Sequence, residues 1–164
     1  MAVETSSAAT DPDTCSRALL DGLPPVMWFI RRQVRRHRSH RLSVPQYRTL
    51  CLLDRMPNAS LSEVAEHLGA TLPTASRMVS NLVNKGLAER KPCLDDRRQM
   101  SLQLTAKGRR AYEGAQQETQ QSLAAEVASL SDAQRATIAE AMRVLGEVFT
   151  ANDPAIRRGE ACLR

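Results

Sequence analysis

The sequence predicts a mainly α-helical fold with a small β-hairpin wing, and three observations lead there. Two short helical segments, each opened by a capping residue, follow one another with only a few residues between them (60–69 and 71–86). Directly after them, at 87–104, the apolar period changes from that of a helix to a loose alternation of apolar and polar residues. Finally, long apolar stripes at both ends of the chain exceed what so small a middle can cover. A helix-turn-helix followed at once by a basic-tipped hairpin is a winged helix.

Residues 1–15 are rich in Ala, Ser, Thr, Asp and Pro, with Val3 the only large apolar group before Cys15, and read as a disordered tail. From Leu19, the residues Leu20, Leu23, Met27, Ile30 and Val34 recur at helical steps, so 16–42 reads as a long helix that Pro24 and Pro25 start or bend. Ser43 caps the next helix, with Pro45 in its first turn and Tyr47, Leu50, Cys51 and Leu53 on its buried side. Ser60 and Glu63 form a capping box for a short helix of Leu61, Val64, Ala65 and Leu68 that stops at Gly69. Thr71 is the expected cap of a helix over about 72–85, with Leu72, Ala75, Val79, Leu82 and Val83 on one face. The wing occupies about 88–104, its arms carried by 87–91 and 100–104 around a charged tip. Thr105 caps a helix reaching about Ser129, with Gln116, Gln117, Gln120 and Gln121 exposed; Ser131 and Gln134 box the last helix, striped by Ile138, Met142, Leu145 and Phe149. Together 105–150 make the C-terminal helices, 43–104 the winged unit, and 151–164 a tail.

The chain has 164 residues, 42% hydrophobic and 3% aromatic, which suits one modest domain plus an association element. Its net charge of +5 is unevenly spread: residues 22–53 hold seven Arg and no acid, residues 77–110 nine bases against three acids, and both ends are acidic. Clustered Arg on a basic chain is the footprint of a protein that meets phosphate, and also of a solvated helix face. The segment holding Arg31, Arg32, Arg35, Arg36, Arg38 and Arg41 either bridges the acidic last helices, faces phosphates or is simply solvated. The acidic start is unlike a signal peptide and no apolar run is long enough for a membrane span, so a cytoplasmic protein with no membrane partner is expected. Cys15, Cys51, Cys93 and Cys162 lie far apart with no Cys-x-x-Cys pair, which argues against a structural metal and a disulfide framework. His37 and His40 sit among arginines, His67 sits beside an apolar face, and no nucleophile has a base or a Gly-rich phosphate loop, so neither an enzyme nor a cofactor is expected.

On the helix at 72–85 the face opposite the apolar one carries Thr74, Arg77 and Asn81, flanked by Ser76, Ser80 and Asn84. These short hydrogen-bonding groups plus one Arg are what a recognition helix offers to base edges and phosphates, and equally what an ordinary amphipathic surface helix carries. The neighbouring short helix and the wing tilt the balance toward double-stranded DNA as partner.

The stretches LSVPQYRTLCLL, SLSEVAEHLGATLPTASRMVSNLVNKGLAER and DDRRQMSLQLTAKG resemble the MarR family of bacterial transcriptional regulators, and the flanking helices extend the resemblance over most of residues 20–150. The resemblance implies two helices, a first short strand, two helices, a two-stranded wing and two final helices. It also implies a homodimer on a pseudo-palindromic operator, in most members a repressor. Carried over residue by residue, DNA contacts fall on Thr74, Ser76, Arg77, Ser80 and Asn81. In the wing, Asp96 matches the acid that orients the family's minor-groove Arg, Arg98 matches that Arg, and Arg97 meets phosphate; an ordinary surface ion pair is the plainer reading of Asp96 and Arg98. Family members are commonly released from DNA by a small aromatic or phenolic effector, for which Trp28, His40, Tyr47 and Arg48 are the expected cleft, with Trp28 equally suited to a dimer core. An oxidant-sensing alternative acts through Cys15 or Cys93: Cys15 lacks the Cys-Phe-x-x-Tyr context and lies about one turn early, whereas Cys93 is flanked by Lys91, Arg97 and Arg98, which favour a thiolate. Cys51 reads as a small core residue.

Overall fold

Six helices and one two-stranded antiparallel sheet make up the described residues of the computed structural model, which are 11–36, 42–92 and 100–151. In chain order they are α1 (Pro12–Arg36), α2 (Val44–Arg55), α3 (Leu61–Leu68), α4 (Leu72–Asn84), β1 (Ala88–Pro92), β2 (Met100–Leu104), α5 (Ala106–Val127) and α6 (Asp132–Ala151).

Residues 12–15, expected as the end of a tail, already belong to α1. Asp11 Oδ1 accepts from the N–H groups of Asp13 and Thr14 at 2.9 and 3.1 Å, and Pro12, which has no N–H to leave unpaired, opens the helix. Thr14 Oγ1 also donates to Asp11 Oδ2 at 2.6 Å, and this side-chain bond leads the contacts that hold the Asp11 carboxyl below the usual carboxylate range. Pro24 and Pro25 start nothing, since α1 is already helical twelve residues before them and continues to Arg36.

The two expected capping boxes form, and the expected cap at Ser43 proves to be a third. Ser43 pairs with Gln46, Ser60 with Glu63 and Ser131 with Gln134, each serine hydroxyl accepting the amide three residues on while that side chain takes the serine N–H. Gly69 ends α3 at φ 63°, a left-handed turn that a side chain would strain, and three residues later α4 begins. Thr71 occupies the N-cap position of α4, but its side chain makes no capping bond; its hydroxyl lies 3.0 Å from that of Thr74.

The core sits where α2, α3, α4, β2 and α5 meet, around Leu50, Leu53, Val64, Val79 and Leu82, closed by Leu102 and Tyr112. Leu72, expected on the buried face of α4, is the first residue of that helix and is exposed. In the wing, β1 pairs with β2 so that Ala88 faces Leu104 and Arg90 faces Leu102. The first of the three expected strands is reduced to a single bridge at Ala59. Asn58 takes φ 74° and turns the chain, Asn58 N–H donates to Leu102 O at 3.1 Å, and Leu102 N–H donates to Ala59 O at 2.9 Å before α3 resumes the helical path. Asn58 Oδ1 in turn accepts from Gln103 Nε2 and, at 3.4 Å, from Ser101 Oγ, which ties this turn to the wing.

α1 and α6 are different in kind. Leu20 and Trp28 on α1 are 75% and 58% exposed and Phe149 on α6 is 62% exposed, while Ile138 and Met142 also stand largely in solvent. Much of both apolar stripes is therefore uncovered within one copy, although Val34 at the end of α1 is buried and Leu19, Ile30 and Leu145 are half-buried.

Candidate nucleic-acid interface

α4 presents its polar side outward from a rigid base. Ala75, Val79 and Leu82 lock one face into the core, which leaves Thr74, Arg77 and Asn81 exposed and Ser76 and Ser80 half-buried at the margins. All five residues expected to meet DNA on this helix thus lie on its outer side or at its edges.

Two of them are held by residues that the sequence did not single out. Arg90 Nη2, reaching from β1, donates to Ser80 Oγ at 3.0 Å. Gln46 Nε2, from the first turn of α2, donates to Asn81 Oδ1 at 2.6 Å. The only signal that could have pointed to Arg90 is the wing register, which puts it opposite Leu102 and beside α4; nothing local to Gln46 points to Asn81, 35 residues away. At the wing, the exposed Lys91 pairs with Glu89 at 2.8 Å and supplies charge beside α4. Asp96, Arg97, Arg98 and Cys93 lie outside the described residues.

The base of the interface is anchored from below. Arg109 Nη1 meets Asp54 Oδ1 at 2.6 Å, linking the start of α5 to the end of α2, and Lys107 Nζ donates to Lys85 O at 2.8 Å across the end of α4. Arg48, expected in a ligand cleft, instead donates to the His67 carbonyl and stitches α2 to α3. Trp28 lines an open groove of about 760 Å³ with Leu20, Leu23, Met27, Arg31 and Phe149; Tyr47 and Arg48 are not among its walls. Arg32 lies over the Trp28 ring at 5.4 Å from its centre. His40 lies outside the described residues. Cys15 is exposed on α1.

Tyr47 packs instead on Tyr112, ring centres 5.7 Å apart, and Tyr112 Oη donates to the half-buried Cys51 Sγ at 3.7 Å. Burial, and after it the hydrogen bond to Cys51, pushes the Tyr112 phenol well above its ordinary 10.0. Folded Tyr112 therefore keeps a proton that the unfolded chain gives up near pH 10. Its contribution to stability is complete below that pH and is lost as the pH rises above it, by about 1 kcal/mol per pH unit. Chemical denaturation between pH 9 and 11 is expected to give a steeper loss for the parent protein than for Tyr112→Phe; equal slopes would contradict the assignment.

Residues 42–100 match the family model described as the MarR family. Among curated relatives, the HTH-type transcriptional regulator YfiV of Bacillus subtilis (strain 168) is 26% identical over 108 residues, 66% of this chain and 68% of that protein. The HTH-type transcriptional repressor IacR of Pseudomonas putida is 29% identical over 93 residues, 57% of this chain and 56% of IacR. Among solved structures, apo wild-type MarR from E. coli superposes with a TM-score of 0.67 at 25% identity, covering 77% of this chain and 96% of that one.

Proposed function

We propose, from the match of residues 42–100 to the MarR family model, that the chain is a MarR-type helix-turn-helix transcriptional regulator and a homodimeric repressor acting on a pseudo-palindromic operator. The observation that carries the proposal is α4: a core-locked helix whose outer side holds Thr74, Ser76, Arg77, Ser80 and Asn81, with Ser80 and Asn81 steadied by Arg90 and Gln46. Side chains already ordered before contact lose less entropy on binding. Residues 43–104 then form the DNA-binding unit, and 16–42 with 105–150 the dimer unit. The exposed apolar residues of α1 and α6 support this division, because a second copy supplies the cover that one copy lacks. Repression is supported by the likeness to a relative named as a repressor.

In this reading the dimer sets two α4 helices about one turn of DNA apart, basic side chains meet phosphate, and α4 reads bases in the major groove. Arg98, oriented by Asp96, serves the adjacent minor groove, and Arg97 meets phosphate. A small aromatic or phenolic effector, taken up where the dimer helices meet the winged unit, prefers a different spacing of the two helices and shifts the population off DNA. Trp28 on α1, with Arg31 beside it, and the half-buried Tyr47 on α2 supply aromatic and cationic surface for it, together with Arg48 and His40 from the same expected set. No observation favours the thiol reading through Cys15 or Cys93 over this one.

Arg77→Ala tests the proposal. The exposed side chain contributes nothing to the core, so the variant is expected to keep its fold and its dimer while losing about 1–3 kcal/mol of sequence-specific binding, read by fluorescence anisotropy on specific and scrambled duplexes. Equal binding by variant and parent would remove Arg77 from the interface.

A further inference from the structure

Gln46 is 7% exposed, and both ends of its amide are engaged. Ser43 N–H donates to Gln46 Oε1 at 2.9 Å, and Gln46 Nε2 donates to Asn81 Oδ1 at 2.6 Å. The orientation of all three groups follows from the first of them. A backbone N–H only donates, so the Gln46 atom facing Ser43 is the oxygen and the atom facing Asn81 is the NH2 group. That NH2 group also only donates, so the Asn81 atom facing it is the oxygen. Asn81 itself is exposed, and among the described residues nothing accepts from its Nδ2. At this position α4 therefore shows the outside a pair of donors.

We infer that Gln46 is a specificity-determining positioning residue: by taking one lone pair of Asn81 Oδ1 it fixes that amide with its Nδ2 donors unspent and its oxygen committed on one side, which favours donation to a base pair. The inference rests on the reading of α4 as the recognition helix. A freely rotating Asn reads adenine with both ends of its amide, accepting from N6 and donating to N7. With one lone pair of its oxygen taken and the amide fixed by Gln46, Asn81 favours acceptor edges, namely guanine N7 and O6 or thymine O4, over the two-ended adenine contact, which needs the amide free to turn. Gln46 thus selects bases without touching DNA.

Two substitutions reverse the presented edge by different routes. Gln46→Glu keeps an oxygen for Ser43 N–H, Glu being a natural partner in a capping box, but sets an acceptor before Asn81, which turns that amide round and leaves Oδ1 outward. Asn81→Asp gives one carboxylate oxygen to Gln46 and points the other outward; as a change at an exposed site it carries the test if Gln46→Glu fails to fold. Asn81→Ala marks which operator position is read. Each full-length protein is used to select from a pool of short randomised DNA duplexes, and affinities for the enriched sites and their single-base variants follow by anisotropy. The parent protein is expected to enrich guanine or thymine at the position whose preference Asn81→Ala erases. Gln46→Glu and Asn81→Asp are both expected to shift that position toward adenine or cytosine, changing the ratio of affinities on the order of tenfold and leaving other positions as they were. A Gln46 that matters only for folding would weaken all sites alike and leave the preferred base unchanged. That result overturns the inference while the DNA-binding reading stands. Enrichment of no sequence by the parent protein overturns both.

Discussion

Gly108→Ala is expected to destabilise the winged unit by about 3 kcal/mol or more, the upper range for a steric insertion into a packed site. A Cβ at this position would stand 1.8 Å from Leu87 O and 2.7 Å from Leu87 C, both backbone atoms with no side-chain freedom to yield. The same carbonyl accepts from Thr105 N–H at 3.2 Å, Thr105 Oγ1 donates to Gly86 O at 2.7 Å, and Gly108 N–H donates back to Thr105 Oγ1 at 2.9 Å. The start of α5 is thus pressed against the end of α4 and the root of the wing. Moving α5 away to admit a methyl group would break these bonds and also draw Tyr112 and Ala115 from the core. In a thermal melt the midpoint is expected to fall by roughly 10 °C, taking about 2–4 °C per kcal/mol at this chain length. A change within about 1 °C would mean that α5 docks differently from what is described here.

The second large effect concerns association. Phe149→Asp combined with Leu20→Asp places charge on the two uncovered stripes without touching the core of the winged unit, since both side chains are exposed in a single copy. Burying a large apolar side chain is worth about 1.5–3 kcal/mol, and each stripe recurs in both copies, whereas a buried unpaired carboxylate costs several kcal/mol. The variant is expected to elute as a monomer where the parent elutes as a dimer, with an unchanged circular dichroism spectrum. Operator affinity is expected to fall about a hundredfold or more, because two half-sites are then bound as separate events. A variant that stays dimeric would place the interface elsewhere.

Local signals made much of this fold legible. The cap at Ser43, the capping boxes at Ser60 and Ser131, the Gly69 stop and the change of period after Gly86 are each decided within a few residues, and each appears in the structure where its residues lie. Two local signals were present yet outweighed in the reading: Asp11-Pro12 is a helix start that small-residue composition disguised, and Asn58 carries the turn that cuts the expected first strand to a bridge at Ala59. What the sequence withheld is tertiary. Gln46 on Asn81, Arg90 on Ser80, Tyr112 on Cys51 and Gly108 under Leu87 join residues from 10 to 61 positions apart, and none of these pairs has a periodic or motif signature. The identities of the outward residues of α4 were readable from helical spacing, whereas the way two of them are held depends on how α2 and β1 dock against it.

The central claim is that a dimer of this chain recognises a particular DNA sequence through α4. A fluorescence-anisotropy titration against the duplex upstream of its own gene, beside a scrambled duplex of the same composition and at several salt concentrations, addresses it most directly. The account predicts saturation at two chains per duplex and a preference over scrambled DNA of about a thousandfold or more that persists as salt weakens both. Binding that is equally tight on both duplexes and disappears together with rising salt would contradict it, reducing the basic surface to phosphate contact alone.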